Sequence, residues 1–439
     1  LEFVKGRRAS ALFMEQGTGK TLVTIAFFQY LLEQHQLDRY LIVCPLSVMD
    51  VWHTQLLQHW EDPPPIRPIL KWRLEHHLPS GPSITIINYE RLMRMRDVFW
   101  KQKYDVVVID ESHRIKNHAS KQSKAVAKLN SPIRMILTGT PIGNSPIDMF
   151  AQFRFLDPQA FGSSISNFRQ KYCYAGGFMG TKWMMRAAKV KDALRIVNRY
   201  AFRVSNKVLG LPPERPPIIR YFDLGHDERK AYDDLVNDMI HTSDDFEVTT
   251  PLVVSQLMKL RQITGGFVKD DEGANRRLGD SKLSVLKDYL QHDLPPGEAF
   301  VIFCVFRQEI DEVVKLLRSM KFKPGLIHGD IPVAERARVT RALGKSLDCV
   351  VCQGAAGGVG IDLTSASLAI FYSVDFSFIN YYQARARIYR HGQTQSVAYL
   401  HLIAKKTIDG DCYSALLDKA DVAGKALAYL RKEHKRHER

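Results

Sequence analysis

The chain has 439 residues, 45% of them apolar. A chain of this length is too long to fold around one ordinary hydrophobic core, so we predict roughly two or three globular domains. Its formal charge of +15 favours a polyanionic partner such as nucleic acid. Because no apolar stretch reaches the roughly 18 residues of a membrane span and no signal-peptide pattern begins the chain, we expect a soluble cytoplasmic protein without membrane contact.

Short apolar, β-branched runs alternate with longer amphipathic stretches in the first part of the chain. Runs of this kind, flanked by polar residues, Pro or Gly, predict buried parallel strands that helices connect. We predict a first α/β lobe over residues 1–160. Its predicted strands are 11–14, 40–44, 84–87, 106–109 and 134–137, and a helix is predicted over 22–32.

A glycine-rich segment lies between the first predicted strand and that helix, and it consists of Gly17, Thr18, Gly19, Lys20 and Thr21. In this setting glycines let backbone N–H groups approach phosphates, and the helix N-terminus favours their negative charge. Lys20 would reach the β and γ phosphates of a nucleotide, while the Thr21 hydroxyl would hold Mg²⁺. The alternative interpretation is a glycine-rich turn with an incidental lysine.

Two adjacent carboxylates, Asp110 and Glu111, follow the predicted strand 106–109. They stand at the carboxyl end of a strand, where α/β sheets bind ligands. Asp110 is suited to hold hydrated Mg²⁺, and Glu111 to orient and deprotonate a water molecule. Taken alone, the pair would fit a solvated turn equally well.

Thr138 and Thr140 close the next strand, where small polar groups are placed to respond to a nucleotide.

The composition changes after the first lobe. Residues 169–207 hold ten Lys or Arg and a single acid, Asp192, interleaved with aromatic residues, a pattern that favours binding to phosphate backbone. We therefore predict a basic helical protrusion and a stiff Pro-rich connector over 161–222, followed by a helical segment over 223–280.

A second set of apolar runs predicts a second doubly wound lobe over 281–420, with a basic helix or tail over 421–439. Cys349 and Cys352 lie three residues apart on one strand and point to opposite faces. We therefore expect buried, reduced thiols rather than a metal or redox pair. The predicted strands are 300–305, 323–327, 349–352, 368–372 and 397–402.

The second lobe also carries a glycine-rich run that includes Gly360 and Asp362, followed by a basic segment. We predict that this segment is a helix on which Gln383, Arg387 and Arg390, four and three residues apart, share one face. Planar guanidinium groups at that spacing suit a γ-phosphate and its transition-state charge. The alternative is an amphipathic surface helix with a basic face.

Taken in order, these segments resemble the motif series of helicase superfamily two, and more narrowly its SWI/SNF-type family of double-stranded DNA translocases. The resemblance implies two RecA-like, P-loop NTPase lobes with a helical insertion between them. ATP and Mg²⁺ would bind in the cleft, with Gly360 and Asp362 near the nucleotide and Arg390 as the arginine finger. The most specific segments are 41–47 with Trp52, 110–117, 137–141 with Asn144, 260–263, 327–329, 357–363 and 383–393.

The resemblance also implies contacts to DNA. Ser47, Asn88 and His328 fall at positions that resemble the strand-tracking contacts of the family, and Lys116 belongs to the segment after the paired acids. The basic block resembles the protrusion that this family carries on its first lobe. It adds four expected phosphate contacts, which are Lys182, Arg186, Lys189 and Lys191.

We expect a monomeric, ATP-dependent motor that translocates on double-stranded DNA. The alternatives are a strand-separating DNA or RNA helicase and an ATP-gated clamp with negligible turnover. Lys20, Glu111 and Arg390 argue against the clamp, because a clamp needs neither a water-activating acid nor an arginine finger. Departures from the family pattern, such as Asp362 and Ala386, resemble bacterial or bacteriophage members, for which a nucleoid-associated location would follow.

Overall fold

The computed structural model describes residues 1–69, 81–141, 147–176, 182–245, 250–269, 274–354 and 361–418. Two compact units follow one another along this part of the chain, Leu1–Gly210 and Leu211–Asp418. Within the described ranges, no helix is long and apolar enough to cross a membrane. Each unit is a lobe built around its own parallel sheet.

In the first lobe the strands are β1 (Ala9–Met14), β2 (Arg39–Cys44), β3 (Ile66–Pro68), β4 (Ser83–Asn88), β5 (Val106–Asp110), β6 (Ile133–Leu137), β7 (Cys173–Gly176), β8 (Lys182–Met185) and β9 (Ala201–Val204). The helices are α1 (Lys20–His35), α2 (Met49–His59), α3 (Tyr89–Arg94), α4 (Arg96–Trp100), α5 (Lys121–Ala127), α6 (Asp148–Leu156), α7 (Pro158–Phe161), α8 (Ile165–Tyr172) and α9 (Ala187–Tyr200). Short 3-10 helices span Leu46–Val48, Ser112–Ile115 and Asn206–Leu209. Among the described strands, seven form an all-parallel sheet in the order β3-β4-β2-β5-β6-β1-β9, while β7 and β8 pair as an antiparallel hairpin.

Both faces of this sheet are apolar, as its alternating side chains require. On β5, Val107 and Ile109 pack into one apolar cluster, whereas Val106 and Val108 pack into the other. Residues of α6, α8 and α9 complete the first cluster, and residues of α1 and α2 complete the second. Because helices cover both faces, most side chains within the strands are apolar, and the loops at the strand ends carry most of the polar side chains that a ligand could reach.

In the second lobe the strands are β10 (Ile218–Phe222), β11 (Phe267–Lys269), β12 (Asn275–Arg277), β13 (Phe300–Cys304), β14 (Pro324–Ile327), β15 (Cys349–Gln353), β16 (Leu368–Phe371) and β17 (Ala398–Ala404). The helices are α10 (His226–Asp245), α11 (Thr250–Thr264), α12 (Ser281–His292), α13 (Arg307–Ser319), α14 (Val333–Ala342) and α15 (Phe378–Ile388), followed by a helix over residues 408–418. In the described part of this lobe, a six-stranded parallel sheet has the order β10-β17-β16-β13-β15-β14, and β11 and β12 form a hairpin.

The predicted fold class is confirmed, since both lobes are α/β with parallel sheets and each predicted strand overlaps an observed one. Cys349 and Cys352 are free and buried, as expected. The sequence does not predict β9, which lies in the basic block, or β10, which directly follows the prolines. Both are edge strands of their sheets, and strands with less apolar surface to bury carry a weaker apolar pattern.

Candidate functional site

The parallel strands of the first lobe bring several loops to one edge of the sheet. β4, β2, β5, β6 and β1 are successive neighbours and run in the same direction. The glycine-rich segment follows β1, and the paired acids follow β5. Because α/β sheets bind ligands at the carboxyl ends of their strands, both predicted elements of the nucleotide site lie on the edge that is suited to it.

The glycine-rich segment forms a tight phosphate-type loop between β1 and α1. Gly17 and Gly19 have positive φ angles of 78° and 92°, which glycine adopts without steric cost. The helix α1 begins at Lys20, directly after Gly19, and none of the residues described in its first turn is acidic. The positive end of the helix dipole is therefore not neutralised there, and Thr21 lies in the same turn, where an anion would bind.

Side-chain hydrogen bonds hold this loop closed. The Lys20 ammonium donates to the carbonyl oxygens of Met14 and Glu15, at 2.8 and 3.2 Å. The Thr18 hydroxyl donates to the Glu15 carbonyl at 2.7 Å. A positive charge is thus placed over the loop, where a phosphate group would form charge-assisted hydrogen bonds with it.

Asp110 is a buried acid with its own set of hydrogen-bond donors. Its burial, together with the charge of Glu111, raises the pKa of Asp110 above the ordinary value. The indole N–H of Trp52 donates to Oδ2 and the backbone N–H of Glu111 to Oδ1, each at 2.8 Å. The Tyr89 hydroxyl donates to the carbonyl oxygen of Asp110. The carboxylate is therefore fixed in orientation while it keeps lone pairs for a further ligand.

Glu111 begins a chain of polar contacts that reaches the next strand end. Its backbone is left-handed, with φ 51° and ψ 50°, a conformation that costs about 1 to 3 kcal/mol for a residue other than glycine. The carboxylate lies 3.2 Å from Nδ1 of buried His113, which is also 3.2 Å from the Thr138 hydroxyl. Thr138 accepts the backbone N–H of Thr140 at 3.1 Å. The predicted acid and the predicted hydroxyls are thus brought together, with His113 between them.

Several residues that complete the site have no role that the sequence predicts. Trp52 is the principal example, together with Gln152 on α6. The Gln152 amide accepts the Ser112 hydroxyl at 2.7 Å and donates to the Pro141 carbonyl at 2.8 Å, which joins the acid-bearing segment to the turn after β6. Both residues occupy buried positions on amphipathic helices, where the local pattern indicates only core packing.

The basic segment of the second lobe corrects one prediction. The helix α15 ends at Ile388, and Tyr389 has a non-helical ψ of 84°. Gln383 and Arg387 lie on this helix, and Arg387 is buried. Arg390 lies in the turn that follows, so the prediction that all three share one helix face is wrong. The Nε atom of Arg390 is buried and has no hydrogen-bond partner among the described residues.

The glycine-rich run of the second lobe is described only at its end. Gly360 lies outside the described residues. Asp362 is exposed and accepts hydrogen bonds from the backbone N–H and the hydroxyl of Thr364, at 3.0 and 2.8 Å. Its expected contact with a nucleotide stays a prediction.

The residues predicted to contact DNA differ in accessibility. Ser47 and Lys116 are partly exposed after β2 and β5, on the edge that carries the phosphate loop. Asn88 is buried, and its amide contacts Glu90 and Arg91 at 2.7 and 3.1 Å. Asn88 can contact DNA directly only if its side chain gives up these two hydrogen bonds.

His328, which is also predicted to contact DNA, is buried. Its Nδ1 atom accepts the backbone N–H of Asp330 at 3.3 Å. Burial and then the charge of Arg307 lower the pKa of His328. At neutral pH this side chain therefore offers a hydrogen bond to a polar ligand rather than a positive charge.

The basic block presents apolar and basic side chains together on the β7–β8 hairpin and α9. Tyr174, Trp183 and Met184 are exposed, and the Arg169 guanidinium lies 5.0 Å from the centre of the Trp183 ring. Among the four predicted basic contacts, Arg186 and Lys191 are exposed, Lys189 is half-buried and 3.5 Å from Asp192, and the side chain of Lys182 lies outside the described residues. We call the five exposed residues, Tyr174, Trp183, Met184, Arg186 and Lys191, the hairpin surface.

Comparisons with known proteins match most of this chain. Residues 4–267 match the family described as SNF2-related domain, and residues 281–392 match the helicase conserved C-terminal domain. A solved structure, the Sulfolobus solfataricus SWI2/SNF2 ATPase core in complex with dsDNA, is 25% identical. The similarity covers 94% of this chain and 87% of that one, with a TM-score of 0.43.

Curated relatives are similar over most of this chain. The DNA repair and recombination protein RAD54B of Gallus gallus is 25% identical over 96% of the chain and 52% of the relative. The chromodomain-helicase-DNA-binding protein 1-like of Danio rerio is 24% identical over 95% of the chain and 42% of the relative. The chain thus spans about half the length of the curated relatives that it matches.

We expect Trp52→Phe to lower the free energy of unfolding of the first lobe by about 1 to 3 kcal/mol, because Oδ2 of buried Asp110 loses its donor. Urea denaturation followed by circular dichroism measures this change. Trp60→Phe is the matched control, since Trp60 is also buried and packs edge-on against Tyr40 at 6.3 Å between ring centres. Equal losses in the two variants would assign the effect to ring truncation instead.

Proposed function

We propose, since this chain belongs to the SNF2-related domain family, that it hydrolyses ATP and uses the energy to move along double-stranded DNA. One observation carries the proposal: the phosphate-type loop with Lys20 and the paired acids Asp110 and Glu111 lie on one edge of a parallel sheet. The names of two curated relatives refer to DNA binding and to DNA repair, which supports DNA as the polymer.

The phosphate loop would bind the triphosphate of ATP. The backbone N–H groups between Gly17 and Thr21 are near the positive end of the α1 dipole, which favours the β and γ phosphates. Lys20 would exchange its two carbonyl contacts for phosphate oxygens, and the charge of the nucleotide would strengthen these bonds. Thr18 keeps the loop closed through the Glu15 carbonyl.

Mg²⁺ fits the residues at this edge. The Thr21 hydroxyl and the Asp110 carboxylate are the oxygen ligands that this ion prefers, directly or through water. Because these residues supply two ligands and the ion takes about six, oxygens of the nucleotide phosphates and water would complete its coordination. When bound, Mg²⁺ supplies positive charge to the phosphates. Trp52 would keep Asp110 in a fixed orientation.

Glu111 would act as the general base. The attacking water forms a bond to the γ phosphorus while the bond to the bridging oxygen of ADP breaks, and Glu111 accepts the proton of the water. Its 3.2 Å contact with His113 holds the carboxylate in place. Since His113 also contacts Thr138, a shift of Glu111 during hydrolysis would be passed to the turn after β6.

The second lobe would supply positive charge to the transition state. We propose Arg390 as the arginine finger, with Arg387 and Gln383 as further contacts to the phosphates and water and with Gly360 and Asp362 near the nucleotide. The position of Arg390 beyond the end of α15 supports the assignment, because a residue in a turn can reorient more freely than one on a packed helix. A buried Nε atom without a described partner also gives it an unused donor.

The hairpin surface would bind the phosphate backbone of DNA. Arg186 and Lys191 would supply positive charge, and the exposed rings of Tyr174 and Trp183 would provide apolar contact to the sugars. Ser47, Lys116 and, after rearrangement, Asn88 and His328 would track one strand. Contacts of this kind read little base sequence, as a motor that passes over any sequence requires.

We also propose a bacterial or bacteriophage origin. The support comes from departures from the family pattern at Thr18, Ser112, Asp362 and Ala386, which resemble members from those sources.

Steady-state hydrolysis tests the function directly. We expect ATP hydrolysis by the wild type to rise with duplex DNA more than with single-stranded DNA or RNA. Lys20→Ala should lose affinity for ATP, whereas Glu111→Gln should bind ATP and turn over at least about a hundredfold more slowly, because glutamine cannot accept the proton. Phosphate release and binding of a fluorescent nucleotide measure the two effects. Normal turnover of Glu111→Gln would contradict its role, and stimulation by RNA alone would contradict DNA.

Neutralising the hairpin surface should weaken binding to all DNA sequences about equally. Log affinity falls as log salt concentration rises, and each lost phosphate contact makes this slope less steep by roughly 0.9 on duplex DNA. Fluorescence anisotropy over a salt series measures this slope. The substitutions, all to Gln, are at Arg186 and Lys191 of this surface and at Lys182 and Lys189, the other two predicted basic contacts.

A variant with the same loss of charge serves as the control. It replaces exposed basic residues of the second lobe on α13 and at the amino ends of β14 and β15, away from the strand ends where ligands bind. These are Lys315, Arg318, Lys323 and Lys345. An unchanged salt slope in the hairpin variant, or an equal change in both variants, would contradict a specific role for the hairpin surface.

A further inference from the structure

The Pro-rich connector, residues 211–217, is anchored to the second lobe by two adjacent residues. Its four prolines fix φ near about −65° and lack N–H donors, and it runs without regular secondary structure. The backbone N–H of Arg215 donates to the Val397 carbonyl at 2.8 Å, and its guanidinium donates to Glu298 at 2.9 Å. The connector is therefore held beside the start of β17.

Glu214, one residue earlier, contacts α15. Its carboxylate accepts the Arg385 guanidinium at 2.8 Å and the Tyr399 hydroxyl at 2.6 Å. The Arg385 guanidinium also lies 4.2 Å from the centre of the Tyr399 ring. The side chains of Glu214 and Arg385 are each 32% exposed, so the pair is better shielded than a typical surface ion pair. We call Glu214, Arg385 and Tyr399 the connector clamp.

The clamp contacts α15 at the residue between two predicted site residues. Arg385 is two positions after Gln383 and two before Arg387, and Arg390 follows the end of the same helix. One turn earlier, the Tyr381 hydroxyl contacts His401 of β17 at 3.1 Å. Tyr399 and His401 lie on the same strand, so the clamp and this contact together set how α15 lies on β17.

We propose that the connector clamp is a positioning device that couples the connector to α15. Glu214 holds the helix in the orientation from which Arg387 and Arg390 act on the nucleotide, and a displacement of the connector during the motor cycle moves that helix. The stiffness of a Pro-rich segment suits this task, because a flexible chain would absorb the displacement. The inference rests on the proposed function, since it assigns a consequence to the movement of those arginines.

The test compares Glu214→Gln with a matched control in the full chain. The variant keeps the size of the side chain but removes the charge that Arg385 pairs with. Asp293→Asn is the control, because Asp293 makes a similar bond to Arg220, at 2.8 Å with 41% and 46% exposure, in the same lobe. Two measurements are made on each protein: hydrogen exchange of the backbone amides of α15, and DNA-stimulated ATP hydrolysis with kcat and KM resolved.

We expect the amides of α15 to exchange about tenfold faster in Glu214→Gln than in the wild type, since a charge-assisted hydrogen bond is weakened. We expect kcat to fall on the order of tenfold while KM for ATP stays unchanged, because misplaced transition-state contacts reduce turnover and not ground-state binding. Asp293→Asn should change neither quantity. Tyr399→Phe, which removes the second donor to Glu214, should shift both in the same direction as Glu214→Gln.

Unchanged exchange of α15 in Glu214→Gln would overturn the proposal, whatever the hydrolysis rates are. Faster exchange together with an unchanged kcat would also overturn it, because the clamp would then be a structural contact alone. A wild type without DNA-stimulated hydrolysis would instead contradict the proposed function. That result is visible in the wild type by itself, and the exchange measurement would still decide whether Glu214 holds α15.

Discussion

A buried carboxylate is stable only where hydrogen-bond donors replace the water that it loses. Asp110 meets this constraint through Trp52 on α2 and the backbone N–H of Glu111, while Tyr89 binds its carbonyl oxygen. These groups follow β2, β5 and β4, which are adjacent in the sheet. The hydrogen bonds to Asp110 therefore connect the segments that follow three strands, on the edge of the sheet where the phosphate loop also lies.

The same edge carries a conformational cost that the surrounding contacts offset. Glu111 adopts a left-handed backbone, and its contact with His113 continues to Thr138. In the second lobe, Glu214 is held in a comparable way by a cation and an aromatic hydroxyl. Each lobe thus uses a fixed carboxylate to orient an element of the proposed site, which favours a preorganised site over one assembled by the ligand.

The sequence was sufficient for ten of the described strands and for the phosphate loop, because apolar periodicity and the Gly-Lys-Thr pattern are local signals. It was not sufficient for the donors to Asp110, since Trp52 is 58 residues away and its helix carries only a core pattern. The prediction that Arg390 shares a helix face with Gln383 and Arg387 is wrong because α15 ends at Ile388, and the sequence carries no clear stop signal there. The sequence also does not predict the exposed hairpin within the basic block, because short two-stranded elements have little apolar alternation.

Two DNA substrates, measured with the same protein, test the central claim of translocation on duplex DNA most directly. One is a triplex whose third strand is displaced by a passing motor, and the other is a forked duplex whose strands part only if the motor unwinds them. We predict ATP-dependent displacement of the third strand, abolished by Lys20→Ala, with the fork left intact. Efficient opening of the fork without displacement of the third strand would contradict the account and establish a strand-separating helicase.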